Sequence, residues 1–589
     1  MKKRSEIEEK YKWDLSKFCK SDEDFYKRLE NLKKQVPIFE TYRGKLANED
    51  VLFEFLEFET KFSIEFGLVS CYCELNLSVD QADPKFNEMC EKVSSLSTEI
   101  SVKTAFVEVE ICAFDDEKLK KLCQNEKFKN YHRYFEGVLR EKQHILTEKE
   151  EKLISQMGDF LDGFDSNFEK FMYCDFKCQN ALDSDGKEHE VTNATYHNLM
   201  ESKDRTLRKN AYLSYNKALA SYMNLLSNNY INEVKKDCTF AKIRGYKSAL
   251  SASIFCEEAS EKVYELLIKK VRENVSIFKR YMDLKKKFLK LSDFSVYDAS
   301  VPMIENTKTF TFEEAFDTVI EATRCMGEEY SNLLKKARDE RWVDVYPNEN
   351  KTTGGFCADV YGASPVILMN FNNDLEGVFT LAHELGHAIH SHYSNSTQPS
   401  QTAHYTLFVA EVASTTNEIL LVEYLLKNAK NKDMKIWIFD KFLSELRGAV
   451  FTQAMYAQFE EEVHSMYENG DSLTAQSVSE VAEKLSDFYN ANAYPKTEYA
   501  KNFWARVPHF FSAFYVYKYA TAFMCATKIA QSLLSDKSFL TKYKTFLSSG
   551  SISDPITLLK RTDCDLEKEE IYDDLFNFAN DILSQWENI

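Results

Sequence analysis

Asn372-Asn373-Asp374-Leu375-Glu376-Gly377-Val378-Phe379-Thr380-Leu381-Ala382-His383-Glu384-Leu385-Gly386-His387-Ala388-Ile389 is the stretch on which the reading of this chain turns. Asn372 to Glu376 offers a helix N-cap with an acid close behind it, and Val378, Phe379, Leu381, Ala382, Leu385, Ala388 and Ile389 supply an apolar surface at helical spacing. On such a helix residues four apart share a face, so the imidazoles of His383 and His387 can reach one metal ion. Glu384 follows the first histidine, where a carboxylate can take the proton of a water activated at that ion. His383-Glu384-Leu385-Gly386-His387 thus fits the H-E-x-x-H pattern of a zinc hydrolase.

A catalytic zinc takes three protein ligands and leaves one position open. The longer H-E-x-x-H-x-x-G-x-x-H pattern fails, because His390 stands where it needs glycine and Tyr393 where it needs histidine. His390 shares the face of His383 and His387, but seven residues of helix span about 10 Å, too far for three rings on one ion. His390 and His392 are therefore read as groups behind the ligands or on the surface. Glu411 is the better third ligand. It lies on a second predicted helix, Tyr405 to Val422, preceded by the turn-forming Ser394-Asn395-Ser396-Thr397-Gln398-Pro399, which would let the two helices pack antiparallel. Glu411, Ser414, Thr415 and Glu418 form a polar stripe there among Phe408, Val409, Val412, Ala413, Ile419 and Leu420. Carboxylates on so apolar a helix need partners, and a zinc ion with its histidines provides them. Glu418, two turns on, is placed to accept a ring N–H from His383 or His387.

Upstream, residues 354–361 and 365–371 read as two short strands joined by Gly362-Ala363-Ser364. They either lend an edge to an extended peptide or form a small structural sheet. Only 16 Gly and 9 Pro punctuate 589 residues, so long helices should dominate. Val51 to Phe58 and Tyr134 to Leu139 are typical apolar helical segments, residues 176–192 read as a hairpin turning at Asp183-Ser184-Asp185-Gly186, and residues 294–312 look mostly extended. In chain order this gives an N-terminal helical region at 1–110, a helical region with a short hairpin at 111–195, and a catalytic region at 196–589.

Composition narrows the classes. Hydrophobic residues make up 44% and charged residues 29%, which suits a large core under a soluble surface. A net charge of −19, from 75 Lys+Arg against 94 Asp+Glu, argues against nucleic acid as a partner. No apolar run is long enough to span a membrane. The N-terminal MKKRSEIEEKYKWDLSKF lacks the apolar core of a secretory signal. Together with 14 cysteines in no zinc-ribbon spacing, this points to reduced thiols in the cytoplasm.

Gly354-Gly355-Phe356, the H-E-L-G-H motif and Ala410-Glu411-Val412-Ala413-Ser414-Thr415-Thr416-Asn417-Glu418 carry a resemblance, with weaker echoes in Tyr134 to Arg140 and the Asp185-Gly186 turn. Over nearly its whole length the chain resembles the oligoendopeptidase F branch of the thimet oligopeptidase family of zinc metallopeptidases. The resemblance implies a mainly α, two-lobed fold with a deep substrate channel and a small β-sheet beside the zinc helix. It implies one Zn2+ held by His383, His387 and Glu411, with Glu384 as general base. It further implies that Pro508 to Tyr519 meets the substrate: His509, Tyr515 and Tyr519 would bind it and stabilise the oxyanion, with Tyr517 turned away. The implied activity is endopeptidic cleavage of oligopeptides by a monomer. A zinc carboxypeptidase on a similar scaffold and a catalytically idle peptide-binding protein remain alternatives, the second disfavoured by the intact Glu384.

Overall fold

The computed structural model describes residues 2–161, 163–304 and 308–589. It is mainly helical, with two small sheets, and its contacts divide it into two compact units. The first comprises Met1–Ile145, Thr307–Tyr424 and Ile529–Asp563; the second comprises Leu146–Asn306, Leu425–Lys528 and Cys564–Ile589. The units are therefore assembled from segments distant in the chain, whereas the boundaries near residues 110 and 195 follow chain order.

In the first unit, helices Asp22–Phe39, Glu49–Val79 and Pro84–Thr104 begin where their capping residues dictate. Ser21, Asn48 and Asp83 each accept hydrogen bonds from first-turn N–H groups, and Pro84 occupies a position whose N–H would have no helical partner. Phe25, Leu29, Leu32, Leu52 and Phe55 from these helices are fully buried in one core, which extends to Val366 and Leu368. Val366–Leu368 is the central strand of a three-stranded sheet. Val343–Asp344 pairs with it in parallel, Val343 opposite Ile367, and Phe356–Ala358 pairs antiparallel, Cys357 opposite Ile367. The two strands expected at 354–371 are both present. Val343–Asp344 is an addition, too short to announce itself by alternation.

The second unit contains the hairpin of Ala181–Leu182 with Glu188–His189, closed by the Asp183–Lys187 turn in which Gly186 has φ +80°. Residues 294–312, expected to be mostly extended, instead carry a 3-10 turn at Val296–Asp298 and no strand among their described residues; 305–307 lie outside these. Among the described residues no helix is long and apolar enough to cross a membrane.

Candidate metal centre

The motif helix runs from Leu375 to Thr397 and is capped by Asp374, whose Oδ1 accepts from the Gly377 N–H at 2.8 Å. Leu381, Leu385, Ala388 and Ile389 are fully buried, and each leucine or isoleucine so placed contributes about 1.5–3 kcal/mol. A short helical turn, Ser400–Ala403, then leads into the glutamate helix, Leu407–Asn428. The two helices run antiparallel through the site, with Ala382 and His383 against Asn417 and Glu418, and Gly386 against Ala413 and Ser414.

Gly386 sets their separation. A Cβ there would lie 2.6 Å from the Ser414 Cα and 2.8 Å from the Ala413 carbonyl oxygen, backbone atoms that can yield only if the helices move apart. Mid-helix glycine costs roughly 1 kcal/mol in helix propensity, and here it permits the approach that brings the ligands together. Asn417 is the second fastener. Its side-chain amide donates to the Ala382 carbonyl at 2.9 Å, immediately before His383, and its Oδ1 accepts from the Tyr330 hydroxyl at 3.0 Å. Ser414, Thr415, Thr416 and Asn417 are all buried. The polar stripe therefore faces the motif helix and not solvent. In the sequence, the signal of this close approach is a glycine inside a long helix; the tie made by Asn417 has no local signature.

Three ligand atoms converge. His383 Nε2 lies 3.1 Å from His387 Nε2 and 3.3 Å from Glu411 Oε2, and His387 Nε2 lies 3.6 Å from the same oxygen. Bonds of about 2.0–2.1 Å in a tetrahedron place neighbouring ligand atoms roughly 3.3 Å apart, so the triangle fits one ion of zinc's size. Each ligand's outer side is held. His383 Nδ1 is hydrogen-bonded to Glu418, the His387 ring meets the Ala410 carbonyl, and Ser414 Oγ donates to Glu411 Oε2 at 3.1 Å. Pairing Nδ1–H with Glu418 would leave the His383 Nε2 lone pair free to hold an ion. Burial opposes protonation of His383, but the Glu418 and Glu411 carboxylates raise its pKa well above the usual value. Burial and the charge on His383 drop His387 to about 4. Burial works to raise Glu411, yet the two histidines outweigh it and hold the carboxyl at about 2.

Glu384 lies beside the triangle, only 6% exposed, and its Oε2 has no hydrogen-bond partner. Burial pushes its pKa up to about 7. Gly355 borders it: a Cβ there would be 3.3 Å from Glu384 Oε1 and 3.2 Å from the Thr380 methyl. His390 is not part of the set. It is 1% exposed, stacks on Tyr405 at 3.8 Å with rings 5° from parallel, and is kept neutral by burial, which lowers its pKa to about 3. His392 packs near Trp342.

His509, Tyr515 and Tyr519 belong to the second unit and form a cluster of their own. Ring centroids lie 5.8 Å apart for His509 and Tyr515, 6.1 Å for His509 and Tyr519, and 5.5 Å for the two tyrosines. His509 is exposed and both tyrosines are half-buried, whereas Tyr517 is buried against Tyr264, turned away as expected. Helical spacing is not what joins the tyrosines. Tyr515 precedes the helix that begins at Tyr517, in a turn where Phe514 takes φ +55° and its N–H donates to Glu460 at 2.9 Å.

The sequence profile of Peptidase family M3 matches residues 198–578, a span that holds the motif helix, the glutamate helix and the His509–Tyr519 segment. The chain belongs to peptidase family M3. An Oligopeptidase F profile matches residues 110–177 of this M3 chain. Oligopeptidase PepF of Bacillus subtilis (strain 168) is 34% identical over 571 residues, covering 96% of this chain and 85% of that protein. The Oligoendopeptidase F homolog of Lactococcus lactis subsp. lactis (strain IL1403) is 31% identical over 595 residues, covering 100% and 98%. A crystal structure from Chlamydophila abortus superposes with a TM-score of 0.93 at 28% identity, covering 100% of this chain and 99% of that one. Oligoendopeptidase-F from Enterococcus faecium superposes at 0.75, with 24% identity over 96% of this chain and 99% of that one, a likeness of fold.

Proposed function

We propose that this M3 peptidase is a zinc-dependent endopeptidase that hydrolyses internal bonds of oligopeptides. The observation that carries the reading is the triangle of His383, His387 and Glu411 atoms beside the unpartnered, buried carboxylate of Glu384. The His/His/Glu set suits zinc, and the names oligopeptidase and oligoendopeptidase carried by the relatives support the substrate class. When bound, zinc supplies the Lewis acid that polarises the scissile carbonyl and acidifies the attacking water.

The remaining steps fall to the chain's own residues. Glu418 holds the His383 ring in one tautomer, and Glu411, braced by Ser414, completes the ligand set. Glu384 takes the proton of the attacking water and delivers it to the leaving amine. Phe356–Ala358 is an edge strand beginning next to Gly355 and Glu384, so an extended peptide can add to it and offer its carbonyl there. Tyr515, with His509 and Tyr519 beside it, donates to the oxyanion. In Tyr515→Phe, kcat should fall about 10²–10³-fold with KM little changed. Steady-state kinetics showing an unaltered kcat would remove Tyr515 from the mechanism.

We further propose that the enzyme works on oligopeptides in the cytoplasm as a monomer; its net charge of −19 disfavours nucleic acid as a partner. Digestion of a defined peptide mixture, followed by mass spectrometry, tests the activity. Internal cuts that a chelator stops are expected; release of single C-terminal residues would favour a zinc carboxypeptidase, and no cleavage a catalytically idle peptide-binding protein.

A further inference from the structure

The second unit contains a cavity of about 540 Å³, within the roughly 300–1,000 Å³ typical of small-ligand pockets. Its walls include Tyr196, Tyr215 and Tyr456, two arginines, Arg447 and Arg506, reach into it, and His509 lines it as well. We propose that the Arg506–Arg447 cavity is a carboxylate-binding subsite for the peptide substrate, occupied by the peptide's C-terminal carboxylate. This rests on the oligopeptidase reading.

The charge pattern is the first argument. In a chain of net charge −19, arginines find carboxylates easily: in the same unit Arg205 and Arg208 pair with Asp298, and Arg280 with Glu587. Arg506 and Arg447 have no such partner among the described residues. The Arg506 guanidinium lies instead over two tyrosine rings, 5.5 Å from the Tyr196 centroid and 5.9 Å from that of Tyr215. Arg447 donates one bond, at 3.0 Å, to the Ala299 carbonyl. Ring faces stabilise a cation without using its N–H donors, so both guanidinium groups keep donors for a carboxylate, the geometry to which arginine is best suited.

The second argument is preorganisation. Tyr196 and Tyr215 stack at 4.2 Å, and the Tyr215 hydroxyl donates to Asn193 at 2.6 Å. Arg447 opens a π-helical segment, Arg447–Thr452, an irregularity often found at functional sites. Gln453 follows Thr452 and lines the cavity; its buried Oε1 accepts no hydrogen bond within the described residues and is an acceptor suited to a peptide N–H. Arg506 itself is exposed to solvent, so a ligand can reach it.

The test compares oligopeptides of one sequence bearing a free C-terminal acid or a C-terminal amide, with kcat/KM as the readout. A second pair, both amidated, carries Glu or Gln at an internal position, which separates a side-chain carboxylate from the terminal one. Losing charge-assisted hydrogen bonds should favour the free acid about ten- to a hundredfold in the wild-type enzyme. In Arg506→Met the acid-to-amide ratio should fall toward one, and Arg506→Lys should restore part of it; Arg447→Met gives a second reading. Preference for Glu over Gln, lost in Arg506→Met, supports the same subsite with a side-chain occupant. Equal cleavage of acid and amide and of Glu and Gln by the wild type, or preferences unchanged in both methionine variants, overturns the subsite alone. An enzyme inert toward every peptide overturns the oligopeptidase reading and the subsite with it.

Discussion

Glu384→Gln is expected to abolish peptide cleavage while leaving the metal site intact. Gln matches Glu in shape, so the buried position is filled as before, and the three ligand atoms are untouched. What disappears is a group able to accept a proton. Oε2 is unpartnered and the side chain 6% exposed, so the carboxylate is uncommitted and available as the base. Burial, against the pull of His383 and aided by the Glu411 and Glu418 carboxylates, lifts the Glu384 pKa to about 7, and a divalent cation held by the neighbouring triangle would draw it down again. With the cation bound, the carboxylate would be ionised at neutral pH and still able to return the proton to the leaving amine. Loss of general acid–base catalysis lowers kcat by about 10²–10⁴-fold, about 3–5 kcal/mol in the barrier. The measurement is single-turnover cleavage of a defined peptide with metal content determined on the same sample. Wild-type turnover in a fully metallated Glu384→Gln sample would end the general-base role.

The path from sequence to site was short where spacing along one helix carries the chemistry. His383, Glu384 and His387 were legible because their juxtaposition is local, and Asp374, Phe379, Leu381 and Leu385 announced the helix that holds them. Glu411 and Glu418 were legible at one remove: carboxylates on so apolar a helix need partners, and the neighbouring Ser414–Asn417 run is buried. What spacing did not convey was the contact between helices. That Gly386 admits the Ser414 backbone, and that Asn417 ties down the Ala382 carbonyl, depends on a register no single helix encodes. The strand Val343–Asp344 was missed for a related reason, since a two-residue strand has no period to read and exists only through its partner Ile367–Leu368. Tyr515 and Tyr519 show the converse. They stand four residues apart, yet Tyr515 lies before the helix that starts at Tyr517, and a positive-φ turn at Phe514 brings the two rings together.

Glu411→Ala is expected to release the metal, because it removes one of three ligands and the only one that brings negative charge to the ion. The two imidazoles left behind, with Nε2 atoms 3.1 Å apart, make a neutral two-point site. His390 cannot take the vacant place, since it is held in a stack with Tyr405. The fold should survive the change: Glu411 is about one-third exposed, and Ser414 Oγ, which loses the carboxylate, keeps its bond to the Glu411 main-chain carbonyl at 3.0 Å. Loss of metal with unchanged helicity is therefore the expected pair of results, read as zinc per chain after dialysis against metal-free buffer and as far-ultraviolet circular dichroism. Glu411→Gln sharpens the test. It keeps an oxygen at the ligand position but removes the charge, so its zinc content should fall between those of Glu411→Ala and the wild type, and peptide cleavage should track occupancy across the three proteins. Full zinc retention by a folded Glu411→Ala protein would mean that the third ligand lies elsewhere and that the 3.1, 3.3 and 3.6 Å triangle is not the metal site.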